Sequence, residues 1–398
     1  MKILFVIDVF NTHSNGTSIS AQRFAEELRK RGHEVRILTV GETSDTIFGL
    51  QEFKFPFFNN LIHKHGFMYA KCEEETIRKA VEWADIVHHF FPFALTAKTQ
   101  KVVDELGKPS TAAFHVQPQN ITSSLMLGKC EWANNLLYRI FRNKIYNRFG
   151  HVHVPSRFMG EELKKRGYTA KIHAIYNGIQ SDFKWMKRAK APEFEGKILI
   201  MMVGRLTQEK RQDILINAVK HSKYGDRIQL IFAGTGPTDK MLHRIGQKLV
   251  NPPIFGYYTK EELMDKLAQC DLYVHASDME SEAISCIEAF ATGLVPVISD
   301  SDLSATKQFA LDRRSLFRAG DPKDLARAID YWLDNPEEKA RMEKVYAEAA
   351  KNYDIKHSVA LFEEMLLEAI EDHKKQLEAN QWKLPVGKTV LPHGRKSA

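Results

Sequence analysis

Short apolar, β-branched runs alternate with longer stretches of helical period along this chain, and the alternation begins twice. Ile3–Ile7 reads as a strand, Ser20–Arg31 as a helix and Glu34–Val40 as a strand. The helix sets Ile19, Phe24 and Leu28 about one turn apart, and Gly32 supplies a C-terminal stop. Ile86–Phe91, Ser110–His115 and His151–Pro155 continue the series, each followed by a helical pattern. After the polar, Pro-containing stretch Lys187–Pro192 the series restarts with strands Lys197–Val203, Arg227–Ala233, Leu272–His275 and Val295–Ser299. Helices Asp213–His221, Thr238–Val250, Lys260–Gln269 and Glu282–Thr292 lie between them. Such a rhythm means parallel strands joined by right-handed crossovers, hence an α/β fold of doubly wound domains.

A single core stops growing at roughly 250–300 residues, so a chain of 398 is expected to divide. The expected units are 1–188, 192–355, a final helix over 356–380 that returns to the first domain, and a flexible basic tail over 381–398. Two doubly wound domains facing each other leave a central cleft at the carboxyl ends of their strands, where helix N-termini favour anions. No apolar run is long enough to cross a bilayer, and the short burst after Met1 reads as a buried strand rather than a leader. The four cysteines lack metal-ligand spacing and read as buried thiols of a cytoplasmic protein. A net charge of +7 is compatible with an anionic substrate or an anionic surface and does not choose between them.

Two segments concentrate chemistry. Glu280 and Glu288 are eight residues apart, the first in the loop after the Leu272–His275 strand and the second in the following helix. Carboxylates so placed can each accept two hydroxyls of a polyol, while backbone N–H groups around Glu282–Ser285 face phosphate oxygens. Spacing alone equally fits surface acids at a helix start. In the second segment Gly204 permits close backbone approach, and Arg205 and Lys210 put two cations at a helix entrance. That suits a diphosphate clamp, and it also suits a basic loop on a basic protein.

Together these motifs resemble the retaining glycosyltransferases of family 4, whose fold, GT-B, pairs two Rossmann-like domains across a cleft. The resemblance rests on Arg31-Gly32-His33-Glu34-Val35, Tyr176-Asn177-Gly178-Ile179, Val203-Gly204-Arg205-Leu206 with Glu209-Lys210, Phe255-Gly256-Tyr257, the glutamate–seven–glutamate pair and Gly293–Ile298. It implies that Gly16, Gly204, Arg205 and Lys210 bind the donor diphosphate and that Glu288 binds the ribose. It implies too that Glu280 contacts the transferred sugar beside Glu282, Ala283, Ile284 and Ser285, with His115 near the reacting face. His115 is also readable as a histidine ending a strand.

Departures from the family pattern affect donor identity. Asn15-Gly16-Thr17 replaces paired glycines, and Ser281-Glu282-Ala283-Ile284 replaces Gly-Phe-Gly-Leu, which adds a third carboxylate able to alter which sugar hydroxyls are read. Asp300-Ser301-Asp302 resembles a metal motif of a different glycosyltransferase fold and reads here as a turn with a helix cap. The resemblance implies transfer of a hexose from a nucleotide sugar, expected to be a UDP-sugar, to a glycolipid, polysaccharide or other glycan acceptor, with an α-linkage and no metal or other cofactor. Trp132–Phe149 reads as a helix with an apolar stripe and basic flanks, either a core helix or one lying on an anionic membrane at the inner face of the cell membrane. Nucleic-acid binding lacks a recognisable module. The alternative function is a non-catalytic sugar-nucleotide-binding homologue or regulatory subunit. A related epimerase or phosphorylase is a further class, although no pyridoxal-binding lysine is identifiable.

Overall fold

The structure, a computed structural model, describes residues 1–12, 16–56, 59–64, 67–124 and 130–381. Its N-terminal half holds a seven-stranded sheet of order β3-β2-β1-β4-β5-β6-β7. These strands are β1 (Lys2–Val6), β2 (Glu34–Val40), β3 (Ile47–Leu50), β4 (Ile86–His89), β5 (Ser110–Ala113), β6 (His151–Val154) and β7 (Lys171–Ala174). The second half holds β8 (Ile198–Val203), β9 (Ile228–Ala233), β10 (Ile254–Gly256), β11 (Leu272–His275), β12 (Pro296–Ser299) and β13 (Leu316–Phe317). They form a six-stranded sheet of order β10-β9-β8-β11-β12-β13. Every ladder in both sheets is parallel, and both sheets reverse direction of winding at their first strand. This is the GT-B arrangement, and it puts a switch point beside β1 in one sheet and beside β8 in the other.

The core changes hands between Ile175, which packs with the first domain, and Ile179 and Phe183, which pack with the second. That crossover precedes the polar stretch Lys187–Pro192. The latter lies on the second domain, where Lys190 pairs with Asp271 and the Arg188 N–H donates to Ala268 O. Gly178, at φ +75, sits where an added Cβ would meet Ile355 Cα at 2.7 Å, so the outgoing and returning chains touch at this turn. From there the Ile355–Gln381 helix buries Val359, Phe362, Met365 and Leu366 against the first domain's sheet. The expected tail lies outside the described residues beyond 381.

Several helix bounds differ from the sequence patterns, as in Gly16–Lys30 and Asp239–Gly246, and two differences bear on the site and the surface. The Trp132–Phe149 segment is a helix only over Glu131–Lys144. It breaks at Ile145 (φ −123, ψ −67) before a short 3-10 turn, Tyr146–Arg148. Its apolar residues divide: Tyr138, Phe141, Ile145 and Phe149 are core, whereas Trp132, Leu136 and Ile140 stand 69%, 46% and 42% exposed. The helix expected from Glu282 begins at Ile284, because Ala283 is left-handed at φ 80 and ψ 68. Among the described residues no helix is long and apolar enough to cross a membrane.

Candidate active site

The loops leaving β8 and β11 meet at the carboxyl end of the second sheet. Gly204 follows β8, and its backbone touches the next loop so closely that a Cβ on Gly234 would lie 2.1 Å from Gly204 O. A short 3-10 turn, Gln208–Lys210, then swings Lys210 back over Gly204. Its Nζ lies 2.5 Å from Glu280 Oε1, which is also 2.9 Å from Nε2 of His275 at the end of β11. Burial opposes ionisation of Glu280, yet the Lys210 charge and the His275 hydrogen bond hold its carboxyl well below the usual carboxylate range. The Glu280 backbone is pinned as well, since the Ala305 N–H donates to its carbonyl at 2.8 Å. Arg205 is looser: it is 48% exposed, and Glu209 lies 3.6 Å away.

Between the glutamates the chain turns through Ala283 and enters the Ile284–Ala291 helix, whose first N–H groups have no partner within the helix. Ser285 Oγ donates to Val203 O at 3.2 Å and accepts from Tyr273 Oη at 3.2 Å, tying the helix start to β8. Glu288 is nearly buried and meets Arg23 of the first domain at 3.1 Å. Burial raises its carboxyl above the usual range against the opposing Arg23 charge.

Glu282 requires a correction. Its carboxylate does not sit among groups free to read sugar hydroxyls. It accepts the Asn177 backbone N–H at 2.8 Å and the Asn177 side-chain amide, and only 2% of it is exposed. Burial pushes this carboxyl up to about 8, although the Asn177 hydrogen bonds pull the other way. With Ser156 Oγ donating to Ser281 O at 2.6 Å, the loop between the glutamates is anchored to the first domain.

On that side His115 follows β5, stacked on Phe90 at 5.9 Å and edge-on to His153 at 5.0 Å. Burial and His153 hold it well below the usual histidine range, so it is a neutral imidazole, and its Nε2 has no hydrogen-bond partner. No hydrogen bond joins it to Lys210, Glu280 or Glu288. Gly16 opens the Gly16–Lys30 helix, where an added Cβ would meet nothing within 4 Å among the described residues, while Asn15 lies outside them. Asp300 accepts the Ala319 N–H and Asp302 pairs with Lys307, so these carboxylates serve different contacts in a turn that Ser304 caps. His275, Arg23 and Asn177 are the partners that sequence reasoning did not assign to the three glutamates. Of these only His275, ending its strand just before the Glu280 loop, stood near enough in sequence to be found.

Residues 14–183 match the family described as Glycosyltransferase Family 4, and residues 183–351 match the one described as Glycosyl transferases group 1. The chain belongs to glycosyltransferase family 4. A GDP-mannose-dependent alpha-mannosyltransferase of Corynebacterium glutamicum is 24% identical to this glycosyltransferase over 315 residues, 75% of this chain and 72% of that protein. The crystal structure of Anabaena Alr3699/HepE in complex with UDP superposes with a TM-score of 0.69 at 16% identity, covering 96% of this chain and 100% of that one. The catalytic domain of a cholesterol-alpha-glucosyltransferase from Helicobacter pylori is 50% identical over 39% of this chain and 98% of its own, with a TM-score of 0.38.

Proposed function

We propose that this glycosyltransferase is a retaining, metal-independent hexosyltransferase. It moves a hexose from a nucleoside-diphosphate sugar to a glycan or lipid-linked acceptor, with an α-linkage. The observation that carries the reading is the Lys210–Glu280–His275 group beside Gly204, at the carboxyl ends of β8 and β11. Lys210, Arg205 and the N–H groups opening the Ile284–Ala291 helix meet the negative charge that grows on the leaving diphosphate. Glu280 stays ionised and accepts sugar hydroxyls, and Glu288 takes the ribose. Neutral His115 borders the sugar from the other domain as a hydrogen-bonding group rather than a cation. In this reaction the bond from the anomeric carbon to the phosphate oxygen breaks through an oxocarbenium-like state. The acceptor oxygen bonds to the same face, and its proton passes to the departing phosphate oxygen. Positioning and electrostatics carry the catalysis, with no nucleophile required.

The family resemblance implies a UDP-sugar, whereas the curated relative is named for GDP-mannose, so the donor test spans both bases. Transfer is measured from UDP- and GDP-hexoses in the presence of chelator, with the anomeric configuration of the product read by NMR. A β-product from an α-linked donor, or dependence on added metal, contradicts the proposal.

The acceptor side is proposed to rest on an anionic membrane. Trp132, Leu136 and Ile140 form an exposed apolar ridge at one-turn spacing, with Arg139 and Lys144 exposed beside it. Flotation with anionic vesicles, abolished by Trp132→Glu with Leu136→Glu, tests this. Retained flotation in that variant sinks it.

A further inference from the structure

The neighbouring strands β6 and β7 hold, beneath the last helix, a group of side chains that the proposed reaction does not use. His151 opens β6 and His173 lies on β7. Their ring centroids are 5.2 Å apart with the planes 25° from parallel, and Nδ1 of His151 is 3.0 Å from Nε2 of His173. The Ile355–Gln381 helix crosses above them with Glu368 and Asp372, four residues and so about one turn apart. Asp372 Oδ2 lies 3.2 Å from Nε2 of His151, and one ligand atom from each of His151, His173 and Glu368 lies within 4.8 Å of the others.

Asp372 settles the proton arrangement. By accepting the Nε2–H of His151 it directs that ring's Nδ1 lone pair at His173, as an outer carboxylate does for a metal-bound imidazole. Without an ion, His173 donates its Nε2–H to that lone pair. For an ion to enter, the His173 ring proton moves from Nε2 to Nδ1, and two neutral imidazole lone pairs and a carboxylate then converge on the ion.

We propose that His151, His173 and Glu368 form a binding site for a zinc-class divalent cation, with Asp372 orienting His151 and a fourth position open to water. The edge of a zinc tetrahedron with these ligands is about 3.4 Å, so the separation of up to 4.8 Å closes by a rotamer change of Glu368, whose side chain is 35% exposed. His151 and Asp372 line a surface groove of about 440 Å³, which gives the ion a path in. The competitor is Lys171, which pairs with Glu368 and must yield that carboxylate to the ion. Bound there, the cation would pin the last helix to the sheet it covers.

The test uses the full chain stripped with chelator, titrated with Zn²⁺ by calorimetry and with Co²⁺ by visible absorption. One equivalent is expected, with the intense d–d bands of four-coordinate Co²⁺ and a Zn²⁺-dependent rise in Tm. His173→Gln and Glu368→Gln should each weaken binding at least tenfold, and Lys171→Met should tighten it. Glu368 is partly exposed, so its variant still reports if the histidine variant misfolds. Donor binding should be unchanged in both, which separates this site from the transfer reaction. No saturable binding, or equal affinity and spectrum in both ligand variants, overturns the proposal.

Discussion

Lys210 Nζ and His275 Nε2 converge on the same oxygen of Glu280, at 2.5 and 2.9 Å, so one carboxylate in the cleft is held ionised from two sides. Lys210→Ala removes the proposed diphosphate counter-charge and leaves Glu280 with His275 alone. Turnover should fall by about 10²- to 10³-fold, and stability by about 3 kcal/mol. Rates and denaturant titrations check both, and adding Glu280→Gln should restore stability without restoring rate. Arg205→Ala, at a half-exposed position, should cost less on both measures.

Glu282 makes stability depend on pH with a definite sign. Its carboxyl ordinarily titrates at 4.5 and is raised to about 8 by burial in the folded chain. Between those values the folded state holds a proton that the unfolded state has released. Its contribution to stability is therefore complete below 4.5 and is lost as pH rises through 8. The slope it adds is at most about 1.4 kcal/mol per pH unit. Glu282→Gln should flatten this fall and raise Tm at pH 8 relative to pH 5, with Asn177 turning its unpaired Oδ1 to accept the new amide. An unchanged pH profile contradicts the buried placement.

Ala283 is left-handed at φ 80, where the family pattern has glycine. The strain of that region, about 1–2 kcal/mol, outweighs the roughly 0.4–1 kcal/mol of unfolded-chain entropy that glycine adds. Ala283→Gly should therefore stabilise the protein by about 0.5–1 kcal/mol, as read from the urea midpoint. A loss of stability would show that Ala283 does not hold this conformation.

Arg23 reaches across the cleft to Glu288, the carboxylate proposed for the ribose. Glu288→Gln should weaken donor binding about tenfold, or about 1.4 kcal/mol, with the acceptor KM unmoved. A change confined to the acceptor contradicts the ribose role.

Much of the fold was legible because periodicity reports it directly. β2, β11 and the Lys260–Gln269 helix fall where the pattern put them. The short edge strands β10 and β13, three and two residues long, carry too little pattern to read. Helix starts shifted where backbone geometry rather than composition decides, as at Ala283. In the site, local spacing made Gly204, Lys210, Glu280 and Glu288 visible. The pairing of Glu282 with Asn177 and of Glu288 with Arg23 joins residues 105 and 265 positions apart, and no local pattern encodes such contacts. Along Trp132–Phe149 helical period gives a single apolar stripe, because period alone cannot tell which neighbours cover its exposed part at Trp132, Leu136 and Ile140.

The most direct test of the donor site is calorimetric titration of wild type and Lys210→Ala with UDP- and GDP-hexoses in chelator. The account expects one donor to bind wild type saturably without metal and to lose at least tenfold in affinity in Lys210→Ala. Equal affinity in the two proteins would contradict it.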